Sequence, residues 1–172
     1  MMVLSLHKGL NRQIETSKER LMQNEPRWKA LASGLVGATV LTVLHETARQ
    51  KSDKAPHVHK LGMRAIAKMI EMTGRERPSD EQLYRWAMVG DLVSNSLYYS
   101  AVGNGEKNPW TRGALLGTSA GVGAVGLPGL LGLGSEPSNR TRETQIMTVA
   151  WYLVGGLAAA ATAQLLASSD EE

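Results

Sequence analysis

The 172-residue chain has no cysteine and no phenylalanine. Without a thiol it can form no disulfide, offer no thiol nucleophile and ligate no metal through sulfur, although a zero count fits either side of a membrane. An excess of charge is also lacking: 19 Lys and Arg stand against 16 Asp and Glu, and the surplus is spread along loops and tail. Nucleic acid is therefore not an expected partner. Nor does Met1 to Pro26 have the basic start, apolar stretch and small-residue cleavage site of a signal peptide, so any insertion signal is expected in the first apolar span.

What is present is segmentation. A mean hydropathy of -0.20 looks soluble, but the polar residues crowd into 1–29, 48–82, 103–112 and 135–145 and leave apolar blocks between them. A bilayer core takes roughly 20 mostly apolar helical residues. The blocks predict an all-α integral membrane protein with four transmembrane helices in a compact bundle, at 28–47, 83–102, 113–134 and 145–167. Two amphipathic, non-spanning helices are expected beside them. One covers residues 1–27, where Val3, Leu6, Leu10, Ile14 and Leu21 recur at helical spacing. The other is an interfacial helix at 58–73, with Leu61, Ala65, Ile66 and Met69 on one face and Lys60, Arg64, Lys68 and Glu71 opposite. Residues 170–172 form an acidic tail. Gly74 and Pro78 close the interfacial helix, and Ser79 with Gln82 caps the next.

Aromatic residues gather where spans meet headgroups. If the four spans alternate in direction, Trp28, Tyr98, Tyr99 and Trp110 fall towards one face and Tyr84, Trp86, Trp151 and Tyr152 towards the other, placing all eight in two belts. Orientation does not follow: eight Lys and Arg on one side against ten or eleven on the other is too small a bias.

The third span carries a small residue at every fourth position through Gly113, Gly117 and Gly121, the pattern of a glycine zipper. Such a strip lets backbones approach closely in lipid, and Gly34 and Gly37, with Ser33 and Ala38, give the first span a matching strip. The expectation is that these two strips meet. Pro128-Gly129 should kink or end the third span early.

Chemistry within the apolar blocks rests on a few polar residues. Asp91, Asn95 and Tyr98 recur at helical spacing on the second span, and an ionisable group at that depth needs a partner or water. The first span supplies Thr39, Thr42, His45, Glu46 and Arg49. An antiparallel arrangement predicts an ion pair between Glu46 and Arg85, with His45 or Arg49 reaching Asp91. A carboxylate beside a histidine can be tuned near neutral pH, so this intramembrane cluster could relay protons, bind a polar headgroup or simply fix helix register.

Other constellations are weak. His45-Glu46 has Arg49 where a zincin helix needs its second histidine. His57 and His59 have only Asp53 nearby and make a poor metal site. Haem would need facing histidines, the glycines do not have phosphate-loop spacing, and no serine has the flanking glycines of a nucleophile elbow. Neither metal nor cofactor is expected, and the reading leans away from an enzyme. Asn139-Arg140-Thr141 fits a glycosylation pattern, which matters only in a secretory-pathway host.

The resulting expectation is a small structural or accessory membrane protein that packs or assembles through glycine-rich helices. The alternative is a small transporter or channel using the Asp91, Asn95 and His45 region. The partners implied are the lipid bilayer, anionic headgroups, and either further copies of the chain or a larger membrane complex. The favoured location is a bacterial inner membrane, crossed several times.

Overall fold

The computed structural model describes the backbone of residues 2–104 and 108–169 and the side chains of 27–104 and 108–169. These residues form six helices and no strand: α1 (Met2–Lys51), α2 (Val58–Glu71), α3 (Asp80–Gly103), α4 (Pro109–Leu130), α5 (Glu136–Asn139) and α6 (Arg142–Ser168). The apolar pattern expected for a helix at 1–27 concerns side chains outside the described residues, as does the acidic tail at 170–172. The backbone nevertheless corrects one boundary. No break separates residues 2–27 from the first span; α1 runs as one helix from Met2 to Lys51.

Local chemistry sets the ends. Gln82 N donates to Ser79 Oγ at 3.3 Å and Ser79 N donates back to Gln82 Oε1 at 3.2 Å, a reciprocal cap that starts α3. Trp110 N donates to Asn108 Oδ1 to start α4 directly at Pro109, and Thr144 N donates to Thr141 Oγ1 to start α6. The span expected at 113–134 ends at Leu130. Pro128 lies in its last turn, and Gly132 takes φ 66°, which only glycine adopts without strain.

The four long helices alternate in direction. At one end Lys29 Nζ donates to Leu166 O, and Arg112 reaches back to the Ala101 and Asn104 carbonyls. At the other, His57 N donates to Pro137 O at 2.7 Å and Thr144 Oγ1 donates to Lys54 O at 2.9 Å. There α2 lies across the bundle: Arg64 donates to Leu133 O and Lys68 to Leu131 O, both just beyond α4.

Small residues decide which helices touch. A Cβ on Gly117 would lie 2.7 Å from Tyr152 O, one on Gly121 2.7 Å from Val149 Cα, and Gly113 abuts the Gly156 carbonyl. The strip of α4 therefore faces α6 and not, as expected, the strip of α1. Gly34 backs onto Ser96 and Ser100 of α3, and Gly37 backs onto Gly155 of α6. The reason lies in α6, whose Gly155, Gly156, Ala159 and Ala160 are all buried and give it small faces for both neighbours.

The core holds Ala38, Leu41, Tyr99, Val102 and Tyr152 with fully buried hydroxyl residues such as Ser33, Thr144 and Thr148. Large aliphatic side chains point outward: Leu35, Val43, Val93, Leu97, Leu115 and Ile146 are all exposed. Small and hydroxyl residues inside, with aliphatics outside, is an arrangement compatible with a bundle surrounded by lipid. Among the described residues three helical segments are long and apolar enough to cross a membrane, Arg27–Lys51, Pro109–Leu130 and Arg142–Ser168. The fourth expected span, 83–102, is not among them. α3 is 24 residues long, sufficient in length, but Arg85, Asp91, Ser94, Asn95, Ser96 and Ser100 lower its hydropathy.

The two-belt reading of the aromatics also needs correction. Trp28, Trp86 and Trp110 are exposed, but Tyr99 and Tyr152 belong to the core. A tyrosine can be buried when its hydroxyl finds an acceptor, and Tyr99 does.

Candidate functional site

The polar residues singled out on α1 and α3 converge at the end of the bundle covered by α2. Thr42, His45, Glu46 and Arg49 of α1 face Met88 and Asp91 of α3 across a small cavity that Pro56 and His59 also line. Its volume is about 20 Å³, room for a single water-sized group. The spacing explains the convergence: 42, 45, 46 and 49 fall on one face of α1, while 88, 91 and 95 fall on one face of α3.

Contacts within the cluster are more local than expected. Asp91 is half-buried, and its Oδ1 accepts from Asn95 Nδ2 at 2.9 Å, one turn along the same helix. No hydrogen bond joins it to α1 among the described residues. Glu46 pairs with Arg49, whose Nε donates to Glu46 Oε2 at 3.1 Å, and Gln50 adds a donor to Glu46 Oε1 at 3.3 Å. Arg85 pairs instead with Glu81 at 2.5 Å on an exposed face. The expected Glu46–Arg85 bridge is therefore not formed; each partner is satisfied within its own helix, where the neighbour three or four residues away is already in reach. Tyr98 also leaves the cluster. Its hydroxyl donates to Leu116 O of α4 at 3.1 Å, two helical turns along α3 from Asp91.

Two groups at the cavity keep unused hydrogen-bonding capacity. Thr42 Oγ1 and His45 Nε2 are shielded from solvent and have no hydrogen-bond partner among the described residues. The His45 ring is held edge-on against Trp151 at 5.2 Å and Tyr152 at 5.6 Å between ring centroids. Neither aromatic was legible as a site residue, because no sequence pattern indicated that α6 would pack against this face of α1.

A second, wider cavity of about 610 Å³ lies beside the first and shares Arg49 and His59 with it. Lys60 and Arg64 of α2 and Arg77 of the following loop complete its cationic side, with Tyr84 of α3 beside them and Asp80 the single carboxylate. Burial, and then the positive charge of Arg49, His57 and Lys60, push the pKa of His59 down from 6.5 to about 4. His57 is lowered too, by burial first and then by Lys60, Arg140 and Arg49. The histidine pair therefore stays neutral at pH 7 and offers donors and acceptors rather than charge. Among the described residues no group of three His, Cys, Asp or Glu could hold a metal ion.

Compared with known proteins, the chain matches no protein-family model, no curated protein and no solved structure.

Proposed function

We propose that the chain is a small multi-pass membrane protein whose task is assembly: it docks in the bilayer against other transmembrane helices, in further copies of itself or in a larger complex. In this reading α3 crosses as the fourth span, its polar face turned to α1, and α2 lies in the headgroup layer. The observation that carries the proposal is an open apolar groove of about 620 Å³ between α4 and α6. Val122, Gly126, Ile146 and Ala150 are among the residues that line it, and no described segment covers it. A Cβ on Gly126 would meet nothing within 4 Å, so this glycine serves no contact inside the bundle. Small residues on an uncovered face allow the close backbone approach by which helices associate in lipid.

The absence of cysteine gives a direct test. Single Val122→Cys and Ile146→Cys variants should cross-link in native membranes, while Val93→Cys on the outer face of α3 should not. Gly126→Leu should leave the monomer folded yet abolish the cross-linked species. Recovery of the wild-type chain as a soluble monomer without detergent would defeat the membrane reading altogether.

The cavity at Asp91 favours a second reading, a proton- or ion-conducting membrane protein. It rests on Thr42 Oγ1 and His45 Nε2, buried without partners beside a carboxylate. Proteoliposomes containing the chain would then acidify under an imposed gradient, and Asp91→Asn would stop them.

A further inference from the structure

Four cationic side chains from three parts of the chain share the wide cavity with a single carboxylate. Arg49 comes from α1, Lys60 and Arg64 from α2, and Arg77 from the loop before α3. Proteins normally scatter like charges on a surface because solvation and mutual repulsion both favour separation. Here they are gathered, and several are pre-positioned. Arg49 is braced by Glu46, Arg77 donates to Asp80 Oδ1 at 3.0 Å, and Arg64 donates to Leu133 O at 2.7 Å while pairing with Glu136 at 3.3 Å. Those contacts use only part of each guanidinium's five N–H donors, leaving others for a ligand. Lys60 stands exposed one helical turn before Arg64, on the same face of α2.

Chemistry selects the ligand. Guanidinium forks and an ammonium around one open space suit a tetrahedral oxyanion, which can accept several such donors at once, better than a carboxylate. Burial first, and then the positive charge of Arg49, His57 and Lys60, lowers the pKa of His59 at this cavity. The position of the cavity also matters. It opens where α1 ends and α3 begins, the level at which spanning helices leave the hydrocarbon, and Met69 of α2 and Met72 just beyond its end are exposed near Lys68. Exposed thioether side chains next to lysine and arginine suit a helix lying among headgroups.

We infer that the cavity bounded by Arg49, Lys60, Arg64 and Arg77 is a binding site for a phosphate group, carried by an anionic phospholipid or by a soluble phosphate compound. The inference deepens the reading of a membrane protein with an interfacial α2, but the phosphate chemistry stands without it.

The test uses the full chain in detergent, with thermal unfolding as readout. In one arm mixed micelles contain phosphatidylglycerol or phosphatidylcholine; in the other, inorganic phosphate is titrated against chloride at equal ionic strength. A rise in unfolding temperature with phosphatidylglycerol alone assigns the site to a lipid headgroup. A rise with inorganic phosphate as well assigns it to phosphate in general. In either case Lys60→Ala and Arg77→Ala, both at exposed positions, should raise the half-saturating concentration roughly fivefold each, while Arg75→Ala, outside the cavity, should not. Equal shifts with both lipids and none with phosphate would overturn the inference. So would full shifts retained by the Lys60→Ala, Arg77→Ala double variant whose helix content by circular dichroism is unchanged. Soluble behaviour without detergent would instead count against the membrane reading and leave the phosphate arm to decide the site.

Discussion

The hydroxyl of Tyr99 donates to the backbone carbonyl of Tyr152 at 2.7 Å, joining α3 to α6 across the centre of the bundle. The side chain is fully buried, and the Gly155 backbone, which also packs against Gly37 of α1, lies against its ring. This bond holds α3, more polar than α4 or α6, to one of the most apolar helices.

Tyr99→Phe keeps the ring and removes only that donor. Buried hydrogen bonds contribute about 1 kcal/mol in water and about 0.6 kcal/mol on average in a membrane protein. A small loss of stability without loss of the fold is expected, measured by unfolding in mixed micelles. A fall in stability as large as that of Tyr99→Ala would mean the hydroxyl has a larger part than one bond.

Gly117→Leu should disrupt the fold, whereas Gly90→Leu should be tolerated. A Cβ at residue 117 collides with the α6 backbone, while at residue 90 nothing lies within 4 Å. Overpacking against a rigid backbone costs about 1–3 kcal/mol or more. Loss of the monodisperse peak in size-exclusion chromatography for the first variant and its retention for the second would bear this out; equal tolerance would show that the α4–α6 contact is not tight.

Asp91→Asn should be milder than Asp91→Leu. The amide still offers an oxygen to Asn95 Nδ2, whereas leucine leaves that donor without its partner in a half-buried position. Thermal stability ranks them, and a leucine variant as stable as wild type would show that Asn95 finds another acceptor.

Stability should fall as the pH drops from about 6.5 towards 4. The folded-state pKa of His59 is lowered to about 4, so between these values the unfolded chain binds more protons and folding is progressively weakened; above pH 6.5 the contribution is complete. The lowered pKa of His57 acts in the same direction. Groups surrounding His59 divide in sign, with Arg49, His57 and Lys60 opposing its protonation and Glu46 favouring it. His59→Gln should therefore flatten the pH dependence in this window, followed by circular dichroism on heating; an unchanged slope would place the titration elsewhere.

The sequence by itself determined the helical elements and most of their ends. Apolar blocks, the Ser79–Gln82 cap, Asn108-Pro109 and Pro128 act within a few residues of where they stand, and α2 occupies Val58–Glu71 where the period predicted 58–73. The sequence also placed Thr42, His45, Glu46 and Arg49 opposite Asp91, because helical spacing alone puts them on facing stripes. Only the tertiary structure decided which stripe met which. Glycine strips on α1 and α4 were equally able to pair with each other, but the α4 strip met α6 while the α1 strip divided, Gly34 packing on α3 and Gly37 on Gly155 of α6. Likewise Arg85, free in sequence to reach Glu46, found Glu81 on its own helix, and Tyr99 left the predicted belt for the core once Tyr152 O lay within reach. Periodicity fixes a residue's angle around its own axis, but the neighbour on that side depends on the order in which all four helices share their small faces.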